Sequence, residues 1–206
     1  ISGMVDGVLD GTIPAEKQKH YLQIVSAETK RLSRLVRSML DISRLQSSGI
    51  PEEKKTRFDV CESAGQVLLR FEQQINAKNA QVQVDFPDLP VYTMADQDAI
   101  TQVIYNLVDN AVKFCPDQGE LSLSVRTGGS KIYVTVGNTG QTIPAQELPL
   151  VFERFHKLDK ARTGNSDGWG LGLYIVKTLV GSHGENISVT SGDGRTEFTF
   201  TLPFVN

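Results

Sequence analysis

The chain opens with apolar residues at helical spacing. Ile1, Met4, Val5, Val8 and Leu9 follow the i, i+3, i+4, i+7, i+8 rule of a helix with one apolar stripe. Gly11 can stop that helix, and Pro14 suits the first turn of the next, where its missing N–H costs nothing. Tyr21, Val25, Leu32, Leu35, Met39 and Ile42 then alternate steps of four and three, with Glu28 the polar member of the series. This is a bundle seam. Too long to be buried against its short predecessor, it predicts a helical hairpin over 1–47 that forms half of a dimeric four-helix bundle. A helical arm packed on the chain's own globular part is the alternative that the pattern leaves open. Gly49, Pro51 and the charged run Glu52, Glu53, Lys54, Lys55 read as a linker over 48–57.

From residue 58 the pattern becomes mixed. Asp59 can cap a helix, with Glu62 completing a capping-box-like start, and Val60, Ala64, Val67, Phe71 and Ile75 supply its stripe. Val82, Val84 and Phe86 alternate as a strand, and Val91 to Met94 form another. Asp96 can cap a helix carrying Ile100, Val103, Ile104, Leu107, Val108 and Ala111. Leu121, Leu123 and Val125, then Ile132, Val134 and Val136, alternate across a Thr127-Gly128-Gly129 turn. A helix near Leu171 to Ser182 and strands at Ile187–Thr190 and Thr196–Leu202 close the chain. The predicted class is α+β: a helical hairpin, then a two-layer α/β sandwich with a mixed sheet over 58–206.

Composition narrows the partners. Hydrophobic residues make up 39% and charged residues 22%, with net charge −3, which suits a globular protein and argues against a nucleic-acid partner. Cys61 and Cys115 have neither metal spacing nor a disulfide framework, so a reducing compartment, the cytoplasm, is the default. No run of about 18 apolar residues is present, so no direct membrane contact is expected. The start at Ile1, in mid-pattern, reads as a fragment of something longer.

Three stretches carry candidate chemistry. Asn106 and Asn110 stand four apart and Lys113 three beyond, on one helix face. Amide oxygens can ligate Mg²⁺ without cancelling its charge, and Lys113 adds a point charge for phosphate. In the run from Val136 to Pro144, Asn138 offers an amide that both donates and accepts, and Gly140 lets a backbone come close to a ligand. The glycines from Asp167 to Leu173 open an apolar helix, whose N-terminus suits phosphate. Read alone, each is equally a solvated helix face, a turn or a cap. A P-loop is excluded, because GxxxxGK[ST] is absent. Between the last two, Phe152 and Phe155 anchor a polar segment from His156 to Gly168 that reads as a lid.

In this order the elements resemble the catalytic domain of sensor histidine kinases, in the superfamily shared with gyrase, heat-shock chaperone and mismatch-repair ATPases. NLVDNAVKF resembles the N box, NTGQTIP the first glycine box, FERF the F box, and GWGLGLYIVKTLVGSHG the second glycine box with its helix. The hairpin resembles the family's dimerisation and phosphotransfer domain. The resemblance implies ATP and Mg²⁺ as cofactors. Asn110 would coordinate Mg²⁺ with help from Asn106, Lys113 would contact the phosphates, and Phe114 would pack near the adenine. Asn138 would recognise the adenine amino group, supported by Thr196. Arg154, Gly168, Gly170 and Gly172 would serve the phosphate end, and Gly140, Thr142, Ile143, Phe155, Leu171 and Leu173 would complete the nucleotide pocket.

Further implications are a homodimer through the hairpin, a response-regulator receiver domain as partner, and a full-length protein anchored in the cell membrane. The activity implied is transfer of the γ-phosphoryl to a bundle histidine and on to a regulator aspartate. Asn138 stands where the family usually has Asp, and Thr142 where glycine is common; both are expected to weaken nucleotide binding. The family's acceptor histidine lies in an HExxxP-like segment upstream of the position of Ile1, so this chain is expected to bind ATP without phosphorylating itself. His20 reads as a surface residue, and neither His156 nor His183 as an acceptor. A hydrolase would place Glu where Asn106 stands. A degenerate nucleotide-sensing or scaffold module is the alternative.

Overall fold

The computed structural model describes residues 2–26, 28–29, 32–33, 51–156 and 170–205. The seam positions Leu35, Met39 and Ile42, the start of the expected linker, and the polar segment with Gly168 lie outside the described residues. The chain divides into two compact units, Ile1–Arg44 and Leu45–Asn206.

In the first unit, helix α1 (Ser2–Leu9) ends at Gly11. Helix α2 follows, helical over 15–26, 28–29 and 32–33. The turn closes where Ile13 N–H donates to Gly7 O and Thr12 N–H to Asp10 Oδ1. Helix α1 buries none of its residues, Leu9 is 79% exposed, and Leu22 and Leu32 are also exposed. The apolar stripe is therefore laid out but only partly covered within one copy: Met4, Val5, Val8, Tyr21 and Val25 are half-buried, while Leu9 and Leu32 stay exposed. His20 is exposed, as a surface histidine should be.

The second unit runs β1 (Thr56–Asp59), α3 (Val60–Leu69), α4 (Glu72–Ala77), β2 (Gln81–Asp85), β3 (Tyr92–Ala95) and α5 (Gln97–Phe114). It continues through β4 (Glu120–Gly128), β5 (Lys131–Thr139), α6 (Gly172–Ser182), β6 (Ile187–Gly192) and β7 (Arg195–Pro203), with short 3-10 turns at Glu52–Lys54 and Leu148–Leu150. One sheet has the order β2-β4-β5-β7-β6, and β1 pairs with β3 in a separate ribbon. Only β2 and β4 run parallel, so the main sheet is mixed as expected. Period-two alternation puts Leu121, Leu123, Val125, Ile132, Val134, Val136, Phe198, Phe200 and Leu202 into the core. Against them lie α3, α5 and α6, and α5 contributes Ile100, Val103, Ile104, Leu107 and Val108. Each such side chain removed from water is worth about 1.5–3 kcal/mol.

Local details differ from the pattern. The helix expected through Phe71 and Ile75 breaks after Leu69, because Phe71 turns inward, 1% exposed, with its ring 5.0 Å from Tyr105 of α5. Asp59 caps α3 by accepting from Cys61 N–H at 2.9 Å, and it also accepts from Val91 N–H at 3.2 Å. Glu62 turns to Gln66 instead, so the reciprocal half of the capping box is not made. Thr56 and Arg57, at the end of the charged stretch, already belong to β1, where the Arg57 guanidinium lies over the Tyr92 ring at 3.6 Å. Asp96 caps α5 through Ala99 N–H at 3.1 Å, as read from the sequence.

His183 closes α6, where a cation would meet the negative pole of the helix, but its hydrogen bonds set a different state. Its Nε2 accepts from Asp96 N–H at 3.2 Å, which leaves Nδ1–H to donate to Leu179 O at 2.8 Å. That arrangement needs the neutral ring.

Candidate active site

The site grows from the meeting of the end of β5 with the end of α5. Asn138 is buried, 5% exposed, and pairs in register with Thr196 of β7. Its Nδ2 donates to Thr139 O at 2.9 Å, which leaves Oδ1 as an acceptor with no partner among the described residues. An aspartate could not make that bond, so the substitution fixes which face of the amide is offered. Gly140 sits at φ +153°, and a Cβ there would lie 2.6 Å from Phe114 O. Only glycine allows the strand end to come so close to the helix end.

The glycine loop is clasped to the β6–β7 turn. Gly140 N–H donates to Gly194 O at 2.8 Å, and Gly194 N–H donates to Thr142 Oγ1 at 3.0 Å. Thr142 is exposed, and its hydroxyl anchors the loop by accepting that bond. Buried Ile143 donates its N–H to Ser191 Oγ at 2.9 Å, and Ser191 Oγ is 2.7 Å from Thr196 Oγ1. Thr196 thus supports this corner through Ser191.

Along α5, Asn106 Oδ1 accepts from Gln102 Nε2 at 3.2 Å, while Asn106 Nδ2 is buried without a partner. Turning both amides over keeps their mutual bond and exchanges the orphaned donor for an acceptor oxygen. Asn110 is half-buried and its amide makes no hydrogen bond among the described residues. Lys113 Nζ is held by Asp109 Oδ2 at 2.6 Å, and Phe114 is 57% exposed. The helix face therefore carries one half-committed amide, Asn106, one uncommitted amide, Asn110, and a cation paired with Asp109.

The F-box residues cluster at the start of α6. Phe152 packs edge-on against Phe198, with ring centroids 6.0 Å apart, which ties this cluster to the strand that carries Thr196. Arg154 Nη2 is 2.5 Å from Tyr174 Oη, and its guanidinium lies 4.5 Å from that ring's centroid. Phe155 N–H donates to Gly170 O at 3.0 Å, and a Cβ on Gly170 would lie 2.6 Å from His156 O. Leu171 is buried, Leu173 is half-buried against the core, and α6 starts at Gly172 with no side-chain cap. Its first N–H groups are thus not taken up by a side chain of their own cap residue. His156 Nε2 lies 2.9 Å from Glu147 Oε2.

Among the described residues no cluster of His, Cys, Asp or Glu could hold a metal. A cation here would have to rely on amide oxygens and on its ligand's own anions. Ser191, Gly194, Tyr174 and Lys78, whose part is developed below, were not singled out by the sequence pattern. Asp193-Gly194 is a turn signal, but which loop it would clasp depends on strand register.

Residues 95–206 match the family described as histidine kinase-, DNA gyrase B- and HSP90-like ATPase. The chain belongs to that family. Residues 1–48 match the His Kinase A (phospho-acceptor) domain, so the histidine-kinase branch supplies both parts. The sensor histidine kinase WalK of Bacillus subtilis (strain 168) is 34% identical over 187 residues, covering 89% of this chain and 30% of that protein. Sensor protein SrrB of Staphylococcus aureus (strain MRSA252) is 31% identical over 205 residues, covering 98% of this chain and 35% of that protein. The chain spans about a third of the length of these relatives. The solved catalytic domain of histidine kinase ThkA superposes with TM-score 0.65 at 27% identity, over 72% of this chain and 95% of that one. ATP is therefore the nucleotide of this histidine-kinase ATPase domain.

Proposed function

We propose that this chain binds Mg²⁺-ATP at the β5–α5 corner and, in the whole protein, transfers the γ-phosphoryl to a histidine of the helical bundle. The observation that carries this reading is the fixed, unpartnered Asn138 oxygen set behind Gly140, at the end of the helix that carries Asn110 and Lys113. That oxygen suits the adenine amino group. Asn110 and Asn106 would hold Mg²⁺ by their amide oxygens, and the ion would neutralise phosphate charge. Lys113 can turn from Asp109 to a phosphate cheaply, because an exposed pair is worth about 0–1 kcal/mol. Arg154, Gly168, Gly170, Leu171, Gly172 and Leu173 would serve the phosphate end, while Phe114, Thr142, Ile143, Phe155 and Thr196 would shape the base end. Asn106 cannot take a proton at neutral pH, which disfavours a water-activating hydrolase.

In this reading, 1–47 is the dimerisation hairpin, 48–57 the linker and 58–206 the catalytic domain. The partly covered stripe on α1 and α2, with Leu9 and Leu32 exposed, supports a homodimer. ThkA has been solved in complex with the response regulator protein TrrA, and a receiver domain is the partner proposed here. No helix among the described residues is long and apolar enough to cross a membrane. The whole protein would be anchored elsewhere, with this part facing the cytoplasm.

Base selectivity tests the corner. GTP presents a carbonyl where ATP presents an amino group, and the Asn138 amide cannot turn over without breaking its bond to Thr139 O. ATP should bind at least about tenfold more tightly than GTP, a difference of about 1.4 kcal/mol, and Asn138→Leu should erase the preference. Equal affinity for the two nucleotides in the unmutated chain would sink the assignment.

A further inference from the structure

We propose that Lys78 is a positioning residue for the nucleotide site, acting through the C-terminal carbonyls of α5 rather than by touching ligand. The proposal rests on the nucleotide-binding reading above. Lys78 closes α4, and its Nζ donates to Cys115 O at 2.6 Å and to Lys113 O at 3.2 Å. Its own carbonyl accepts from Gln118 N–H at 2.8 Å, so the residue is held at both ends.

The last carbonyls of a helix have no partner within it, and the C-terminus is the negative end of the helix dipole. An ammonium answers both needs, with charge-assisted bonds. Lys78 reaches this end from another helix, 35 and 37 residues away in sequence. The carbonyl between those two, Phe114 O, faces Gly140 at a distance only glycine tolerates. The final turn of α5 is thus gripped from opposite partners, by Lys78 and by the glycine loop. That turn launches Lys113 and Phe114, and Asn110 lies just before it. Releasing Lys78 lets the turn fray, and fraying moves the groups assigned to phosphate and metal. The Asn138 corner, held by the Gly194 clasp and Ser191, stays in place.

The test compares affinities for Mg²⁺-ATP and for adenosine well below the melting range. In Lys78→Met the ratio of ATP to adenosine affinity should fall by about tenfold, because the loss at Lys113 and the metal-binding face touches ATP alone, whereas any loss at Phe114 is common to both ligands and cancels. Lys78→Arg, which keeps a charged donor, should restore the ratio. A merely structural lysine would lower the melting temperature and leave the ratio alone. Failure of the unmutated chain to bind ATP would overturn the nucleotide reading itself. An unmutated chain that binds ATP, beside a Lys78→Met ratio equal to its own, would overturn only the role given to Lys78. Should Lys78→Met not fold, Lys78→Gln, a neutral donor, is scored by the same ratio and should also show the loss.

Discussion

Replacing Gly140 by alanine tests whether the β5–α5 contact is as tight as the geometry says. The new Cβ would start 2.6 Å from Phe114 O, and ordinary contact begins near 3.4 Å, so strand end and helix end must part by about 0.8 Å. Neither is free to do so. The loop is clasped to Gly194, and the helix end is gripped by Lys78. Overpacking of this kind costs about 1–3 kcal/mol, and the φ of +153°, a region that L side chains rarely adopt, adds about 1–3 more. The sum, about 2–6 kcal/mol, is a large part of the about 5–15 kcal/mol that holds a domain folded. With a urea slope of about 1–3 kcal/mol per molar, the unfolding midpoint should drop by at least about 0.7 M. Gly172→Ala is the control. No described residue lies within 4 Å of a Cβ there and the position is helical, so alanine should be neutral or stabilise by up to about 1 kcal/mol. A Gly140→Ala midpoint within about 0.3 M of the unmutated chain, matching Gly172→Ala, would refute the reasoning.

Other consequences can be checked together. Burial holds the His183 pKa below its usual 6.5; the nearby charges of Asp96 and Glu185 oppose that effect, and Lys55 reinforces it. The unfolded chain then takes up the proton first, so stability is full above pH 6.5 and falls as pH drops below it. Thermal midpoints measured from pH 8 downwards should show that slope, and His183→Gln should flatten it; equal slopes would contradict the neutral-ring assignment. Removing the α5 cap with Asp96→Ala should cost about 1 kcal/mol in urea unfolding, and a change under about 0.3 kcal/mol would show the cap to be idle. Burial, then the charge of Asp59, pushes the Cys61 thiol up to about 11. Its alkylation at pH 8 should be about 100-fold slower in the folded chain than in denaturant, and equal rates would argue against the buried setting.

Much of this was legible because the signals are local. Asp96 announces its helix by chemistry that acts within one turn, and the alternation of Leu121 to Val125 and Ile132 to Val136 reads directly as inward-facing strand residues. The histidine-kinase family was legible too, because its boxes are short stretches of chain. What escaped depends on partners distant in sequence. Phe71 continues a helical stripe perfectly well, and only Tyr105, brought alongside by the fold, explains why the helix breaks. The bond that Thr142 accepts depends on strand register, which sets Gly194 opposite its hydroxyl. Lys78 carries no mark of its role in the sequence, because nothing in its neighbourhood names the carbonyls of residues 113 and 115 as its targets.

Calorimetric titration decides whether the α5 face holds a Mg²⁺-dependent ATP site. The chain would be titrated with ATP in Mg²⁺ and again in a chelator, beside Asn110→Ala. Binding should be saturable, should need Mg²⁺ and should weaken by about 1–3 kcal/mol in the variant. Absence of binding at millimolar ATP, or binding indifferent to both Mg²⁺ and Asn110, would contradict that assignment.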